Sequence, residues 1–364
     1  MSTSQQACPV YKQCGGCPQY EFSASQERHH KSQPVRDWLS SHAIEYTPMI
    51  HSFPWLGFRD RCDLQYDSGK LGLYKKQSNE VVSITHCPKV HPLLNKAILW
   101  IVNNPPPIEK VSFLLRRSPD NTIGMWIDTS NINIATLLTE DSWITKAQEV
   151  FVVELGQRHK RLKRKENGWG LEKHPVLYPW FETSLTHEES GFLYSTIGSF
   201  TQPSMQSNKT LVHTVREIVE QSKATHWLEY GCGTGNFTFM LSQHAQKINL
   251  IEVHPISKKG LNRGLEDIST KAQIQFVHPS ISTLNFQAAL LDPPRSGMGT
   301  SIQDFLTHST CNEIIYVSCN FQSMKTDMEH LLDAGYSLSS ITGVDQFPKS
   351  NHCEWVAHLV RKTL

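Results

Sequence analysis

No apolar run in this chain reaches the roughly 18 residues that a membrane helix needs, so nothing in it reads as a membrane span. Met1 to Cys8 is polar and lacks the basic-then-apolar plan of a secretory leader, which points to the cytoplasm. Net charge is nearly absent: the formal value is +1, so no global positive field advertises a nucleic acid, and any basic surface must be local. Internal repeats and long low-complexity segments are also missing. A disulfide framework is excluded by the same compartment, so the nine cysteines have to be sorted into ligands, nucleophiles and core residues. The 364 residues suffice for two or three domains, and 38% hydrophobic with 9% aromatic residues is an ordinary globular composition.

What is present is an alternation. From about residue 200 on, short apolar runs at Thr225–Tyr230, Lys247–Val253, Gln273–His278, Ala288–Leu291 and Glu313–Ser318 are separated by segments long enough for helices, as at Lys209–Ser222 and Ser323–Leu332. That pattern predicts a doubly wound parallel sheet, an α/β fold of Rossmann-like kind. Tyr336–Val344 and Glu354–Arg361 have only a loop between them, which predicts a terminal antiparallel pair. The earlier region differs. Phe58–Tyr66 with Lys70–Lys76, and Val111–Arg117 with Thr122–Asp128, read as hairpins around Asp67-Ser68-Gly69 and Pro119-Asp120-Asn121. Helices near Leu93–Val102 and Trp143–Val150 make this a smaller α+β domain, and Gln26–Ser41 reads as a helix of unassigned packing. The expected division is 1–90, 91–198 and 199–364: a cysteine-bearing segment that begins the central domain, the rest of that α+β domain, and the parallel-sheet domain.

The chemistry-bearing residues fall at strand ends. The first sheet strand runs into Gly231-Cys232-Gly233-Thr234-Gly235-Asn236, and such a turn lets backbone approach a ligand closely. The next strand ends in Glu252, where an acid can accept the hydroxyls of a ribose. No second phosphate-binding turn follows, which fits S-adenosylmethionine better than a dinucleotide. The fourth strand stops at Asp292-Pro293-Pro294-Arg295, which presents Asp292 at the carboxyl edge. The fifth, Ile314-Ile315-Tyr316-Val317-Ser318, places Cys319 at the same edge. A cysteine there can simply pack, but a thiol, a carboxylate and a methyl donor together solve one problem. Carbon 5 of uracil is a poor nucleophile until a thiolate adds to carbon 6; a base must then remove the carbon 5 proton. Cys319 is the candidate nucleophile and Glu354 the candidate base.

Several blocks resemble the bacterial uracil-5 RNA methyltransferases, which make 5-methyluridine in ribosomal and transfer RNA. They are Ser199-Phe200-Thr201-Gln202-Pro203, Gly233-Thr234-Gly235-Asn236-Phe237, Glu252, Asp292-Pro293-Pro294-Arg295-Ser296-Gly297, Ser318-Cys319-Asn320, and Phe347-Pro348 with His352 and Glu354. They span about 160 residues in the family's order. The resemblance implies a class I methyltransferase domain and places Gln202, Gly231, Asn236, Glu252 and Asp292 in the cofactor and substrate site. One departure is visible: the family often has an aromatic where Gly231 stands.

Cys8, Cys14 and Cys17, with Cys87 as a fourth member, form a thiolate set whose spacing fits zinc or an iron–sulfur cluster. The resemblance implies a [4Fe–4S] cluster. It also implies the branch without an N-terminal barrel domain, which acts on 23S ribosomal RNA. The dense basic run Arg158 to Lys165 is then a candidate phosphate-contact strip or a solvated face. The partner expected is RNA, 23S ribosomal RNA before transfer RNA, with no DNA and no membrane. The target base has to be flipped out to reach a thiol, and Phe200 or Phe347 could stack on it. Competing readings are a noncatalytic RNA-binding protein on the same fold and an NAD-dependent oxidoreductase. Intact Cys319, Glu354 and Glu252 speak against the pure binder.

Overall fold

The computed structural model describes residues 8–130, 138, 141–166, 168–278 and 284–362. In chain order it runs α1 (Ala24–Ser41), β1 (Met49–His51), β2 (Arg61–Asp67), β3 (Lys70–Tyr74), β4 (Val81–Ser83), α2 (Pro92–Asn103), β5 (Lys110–Arg117), β6 (Ile123–Ile127), α3 (Trp143–Val150), β7 (Val152–Leu155), β8 (Lys160–Lys165), β9 (Gly168–Leu171), β10 (Tyr178–Ser184) and β11 (Ser190–Ser195). It continues with α4 (Met205–Gln221), β12 (His226–Tyr230), α5 (Thr238–Leu241), β13 (Lys247–Ile251), α6 (Pro255–Leu265), β14 (Gln273–Phe276), β15 (Ala288–Leu291), α7 (Thr300–His308), β16 (Glu313–Ser318), α8 (Phe321–Asp333), β17 (Tyr336–Val344) and β18 (Glu354–Arg361).

These elements group into two compact units that interleave along the chain. The first comprises Met1–Tyr20, Pro54–Phe181 and Tyr194–Ser204; the second comprises Glu21–Phe53, Glu182–Leu193 and Met205–Leu364. The division differs from boundaries drawn at 90 and 198, because residues 21–53 leave their chain neighbours and build into the second unit.

The second unit holds an eight-stranded sheet in the order β1-β17-β18-β16-β15-β12-β13-β14. Strands β12 to β16 are mutually parallel and β17 and β18 form an antiparallel pair, as the sequence predicts; β18 also runs antiparallel to β16 and so inserts between it and β17. The apolar runs of β12, β13, β15 and β16 are nearly continuous because both their faces are covered, whereas the edge strand β14 alternates exposed and half-buried residues. Ile314 and Tyr316 enter one core with Leu306 of α7 and Met324, Met328 and Leu331 of α8. Ile315 and Val317 enter the other, with Leu211 and Val215 of α4, Met240 of α5 and Leu261 of α6.

Helix α1 joins the first of these cores through Val35, Trp38 and Leu39. It begins with a capping box, Ser23 accepting from the Gln26 N–H and Gln26 reaching back to the Ser23 N–H. Strand β1 then extends the sheet, pairing parallel with β17 as Met49 with Thr342 and His51 with Val344. The sequence pattern assigns α1 no packing partner and gives no signal for β1.

The first unit is an α+β body with its own eight-stranded sheet, in the order β4-β3-β2-β5-β6-β7-β8-β9. Both expected hairpins form. The β2–β3 turn uses Ser68 and Gly69, with φ of 49° and 84°, the primed geometry that matches strand twist. Leu94, Ile98 and Ile101 of α2 and Ile144 and Ala147 of α3 pack on one face of the sheet. Trp180 and Ile197 cover Leu114 on the other.

Candidate active site

In the second unit the strand order reverses between β12 and β15, the switch point at which open α/β sheets place their ligands. The register Tyr230–Leu291–Tyr316 brings three parallel strands to their carboxyl ends at one level. Ser318 lies opposite Trp355, so Cys319 leaves β16 where Glu354 opens β18. The glycine turn, Glu252, Asp292, Cys319 and Glu354 therefore share one sheet edge.

The turn is shaped by its glycines. Gly231, Gly233 and Gly235 have φ of 76°, 56° and 105°, the left-handed region that suits residues without Cβ. A Cβ on Gly231 would lie 2.2 Å from the Asp292 carbonyl oxygen, so an aromatic has no room there. The backbones of the turn and of Asp292 cross in direct contact instead. At Gly233 a Cβ would meet nothing nearer than 4.0 Å, which leaves the turn open on that side. Glu252 braces the turn: one carboxylate oxygen accepts from the Gly233 N–H at 3.0 Å, and the other from the Val253 and His254 N–H groups at 2.7 Å each. Two carboxylate oxygens offer about four acceptor sites, so capacity for a hydroxyl remains.

Asn236 is fixed by two partners. Its side-chain oxygen accepts from Asn208 at 2.8 Å, and its backbone carbonyl accepts from the Thr183 hydroxyl at 2.6 Å. Its buried Nδ2 has no protein partner, an orphaned donor of the kind that a bound ligand satisfies.

Carboxyl chemistry at this edge is set by burial. Desolvation pushes the Asp292 carboxyl well above the carboxylate range. It pushes Glu354 up as well, and the neighbouring Asp292 charge adds to that rise. Gln346, whose Nε2 donates to Glu354 Oε2 at 3.4 Å, and the Arg295 guanidinium act in the opposite direction. The half-buried Cys319 thiol is raised by desolvation and then by Glu354, while Arg295, hydrogen-bonded to the sulfur, opposes both. The Arg295 carbonyl is held by Asn320 Nδ2 at 2.8 Å.

The loop from Asp345 to Cys353 is anchored, not free. Lys31 of α1, with no side-chain exposure, donates to Glu27 at 2.8 Å, to Asp345 at 2.7 Å and to the Phe347 carbonyl at 3.1 Å. All three ammonium protons are thereby used. His352 is exposed in the same loop.

Sequence reasoning missed the part played by five residues. Gln346 and Asn208 carry no local signal, and Arg295 stands in the Asp292–Gly297 block with no role assigned to it. Glu229, fully buried in β12, has its carboxyl pushed up to about 8 by burial. Val253 falls inside an expected strand, yet β13 ends at Ile251 and Val253 is 78% exposed immediately after Glu252, which its apolar run hides.

Two groups of expected residues lie in the first unit. Gln202 is buried in the Tyr194–Ser204 segment of that unit, and Phe200 beside it is 74% exposed. The cysteines are neighbours: Cys8 and Cys17 both push up the Cys14 and Cys87 thiols, whose rise is caused first by burial. Cys14 bridges to Lys75, and Cys87 is clamped through its backbone by Asn95. Among the described residues, however, no three His, Cys, Asp or Glu side chains converge closely enough to hold a metal ion. The expected cluster is therefore not built by this geometry.

The basic run forms β8, next to the sheet edge strand β9. Lys163 pairs with Glu172 at 3.0 Å, and Lys165 donates to the Leu171 carbonyl. Arg161 and Arg164 lie over the rings of Tyr178 and Trp169 at 5.8 and 5.5 Å, and Arg164 and Trp169 line an open groove of about 950 Å³.

The glycine turn, the strand-end acid and the 3-2-1-4-5-7-6 order of β12 to β18 define a class I, S-adenosylmethionine-dependent methyltransferase domain. The model of the tRNA (uracil-5-)-methyltransferase family matches residues 176–281 and 278–362, and the chain belongs to that family. It is thus an RNA uracil-5 methyltransferase. An RNA methyltransferase of Bdellovibrio bacteriovorus is 29% identical, over 98% of this chain and 95% of that protein. The 23S rRNA (uracil(1939)-C(5))-methyltransferases of Histophilus somni and Vibrio cholerae are each 26% identical, covering 96% and 98% of this chain and 80% and 81% of theirs. The Pyrococcus abyssi tRNA (uracil-54, C5)-methyltransferase structure, solved with S-adenosyl-L-homocysteine, superposes with a TM-score of 0.71 at 18% identity, over 98% of this chain and 87% of that one. That likeness concerns the fold.

Proposed function

We propose that the chain methylates carbon 5 of a uridine in 23S ribosomal RNA through a covalent Cys319–uracil intermediate, in the cytoplasm. The observation that carries the chemistry is the adjacency of Cys319 and Glu354 across β16 and β18, beside Asp292. The relatives named for 23S ribosomal RNA support the substrate, and the family's own description makes transfer RNA the second reading.

S-adenosylmethionine supplies the methyl group as an electrophilic sulfonium. The orphaned Asn236 donor, the open side of Gly233 and the spare capacity of Glu252 fit that ligand, and exposed Val253 offers an apolar surface for its adenine. The half-buried Cys319 thiol gives its proton to solvent water, and the thiolate adds to carbon 6 while the carbon 5–carbon 6 electron pair moves toward oxygen 4. Carbon 5 takes the methyl group. Glu354 then accepts the carbon 5 proton, the double bond re-forms and the thiolate leaves. A base buried next to Asp292 is raised toward neutrality, a range suited to accepting a proton.

Glu354→Gln keeps the shape and removes the base, so it should accumulate an RNA–protein adduct that survives denaturing gels. Cys319→Ala should form neither adduct nor product while still binding S-adenosylmethionine. Near-normal methylation by Cys319→Ala would refute the covalent route, and mapping 5-methyluridine in ribosomal and transfer RNA of a deletion strain separates the two substrates. For the cysteines, the reading is a [4Fe–4S] cluster on Cys8, Cys14, Cys17 and Cys87, needing a local closing of the thiols. Anaerobically purified protein should then contain iron; stoichiometric zinc, or no metal, would overturn it.

A further inference from the structure

We propose that Gln346 is a positioning residue for Glu354, orienting the carboxylate and favouring its charged form. This rests on the reading of Glu354 as the base that releases the RNA. Gln346 is completely buried, and a primary amide at that depth requires partners for both its ends. The Ser207 hydroxyl, equally buried, donates to Gln346 Oε1 at 3.0 Å. An ionised carboxylate only accepts, so the N–H₂ end of the amide belongs on the Glu354 side, where it faces Oε2 at 3.4 Å, and Oε1 belongs on the side of the Ser207 hydroxyl.

The backbone around Gln346 is fixed with equal care. Its N–H turns back to the Val344 carbonyl at 2.8 Å. The residues on either side, Asp345 and Phe347, are both bound to the one buried ammonium of Lys31. Swinging the amide away would break its bonds to Ser207 and Glu354. The charged and titratable groups around Glu354 are Asp292 at the end of β15, Arg295 in the following loop, Cys319 at the end of β16, and Cys353 next to it in the chain. Three of these four are acids that repel a carboxylate when they ionise. Gln346 and Arg295 are the groups that favour its ionised form, the form able to take a proton.

The test is Gln346→Met, similar in volume and without a donor, in the full chain. Methylation of an RNA substrate is followed in a single turnover on denaturing gels at several pH values. Adduct should form at the wild-type rate. Its resolution should slow about tenfold, the effect of losing one hydrogen bond to a charged group. The acid limb of the resolution rate should move up by about one pH unit, because the base loses a stabiliser of its charged form. S-adenosylmethionine affinity should not change. Ser207→Ala, which frees the amide to rotate, should shift the same limb less, and it decides the matter if Gln346→Met fails to fold. A resolution rate and pH limb identical to wild type in the folded variant would overturn the proposal. If Glu354→Gln builds up no adduct, the base reading itself has failed; if it does and Gln346→Met behaves as wild type, only this inference has.

Discussion

Lys31→Met removes one ammonium from the interior and leaves almost the same volume. In the native protein that ammonium is fully shielded and touches Glu27 and Asp345, whose side chains are 8% and 4% exposed. Breaking a buried pair by deleting one partner costs about 3–5 kcal/mol, because the remaining charge stays desolvated. Lys349 still approaches Glu27 at 3.6 Å, so Glu27 keeps a cation and the lower figure applies. At about 2–4 °C per kcal/mol for a unit of this size, the melting temperature should fall by roughly 6–12 °C. The loss should depend on pH with a defined sign. Burial already holds the Asp345 carboxyl above its usual range, and Lys31 pulls it down. Without Lys31 it rises further. A carboxyl whose folded pKa exceeds its unfolded value destabilises the fold as it ionises, so stability is fully kept below the unfolded value and is lost as pH rises through the folded one. The deficit should therefore be largest near pH 8 and shrink toward pH 5. Lys31→Met/Asp345→Asn should recover part of it at pH 8. Differential scanning calorimetry across pH measures all three; an unchanged melting temperature at pH 8, or a deficit that grows toward acid, refutes the reasoning.

Gly231→Ala should abolish S-adenosylmethionine binding and cost at least about 2 kcal/mol, since its Cβ would meet the Asp292 carbonyl oxygen at 2.2 Å and the backbone there is left-handed; wild-type affinity in a calorimetric titration contradicts this. Arg161→Gln with Arg164→Gln should weaken RNA binding for every sequence and flatten its log–log salt dependence by up to about 0.7–0.9 for each phosphate the strand no longer neutralises. An unchanged slope would make β8 a solvated strand.

The parallel sheet was legible because its central strands β12, β13, β15 and β16 are covered on both sides, which leaves apolar runs bounded by turn residues. Glu313–Ser318, Tyr336–Val344 and Glu354–Arg361 match to the residue for that reason. Strand-end chemistry was legible too, since Glu252, Asp292, Cys319 and Glu354 each stand at an end of such a run. Strand β1 was not: three residues carry no period, and its identity depends on a partner nearly three hundred positions away. Lys31 escaped because a lysine in a polar helix reads as surface, and only Asp345 makes it interior. Gly231 shows in the sequence only as a missing aromatic; the reason is a backbone crossing that sequence does not display. Within the basic run, Lys163 and Lys165 are spoken for by Glu172 and the Leu171 carbonyl, partners that a charge count ignores.

Membership of α1 and β1 in the second unit has a consequence for synthesis. On the ribosome they emerge long before α8 and β17, which cover and pair with them. At about 5–20 residues per second the wait is roughly 15–60 s. Throughout it Val35, Trp38 and Leu39 lack their final packing partners. A nascent chain therefore carries a polar helix with its one apolar face uncovered, which makes that face the natural grip for a chaperone.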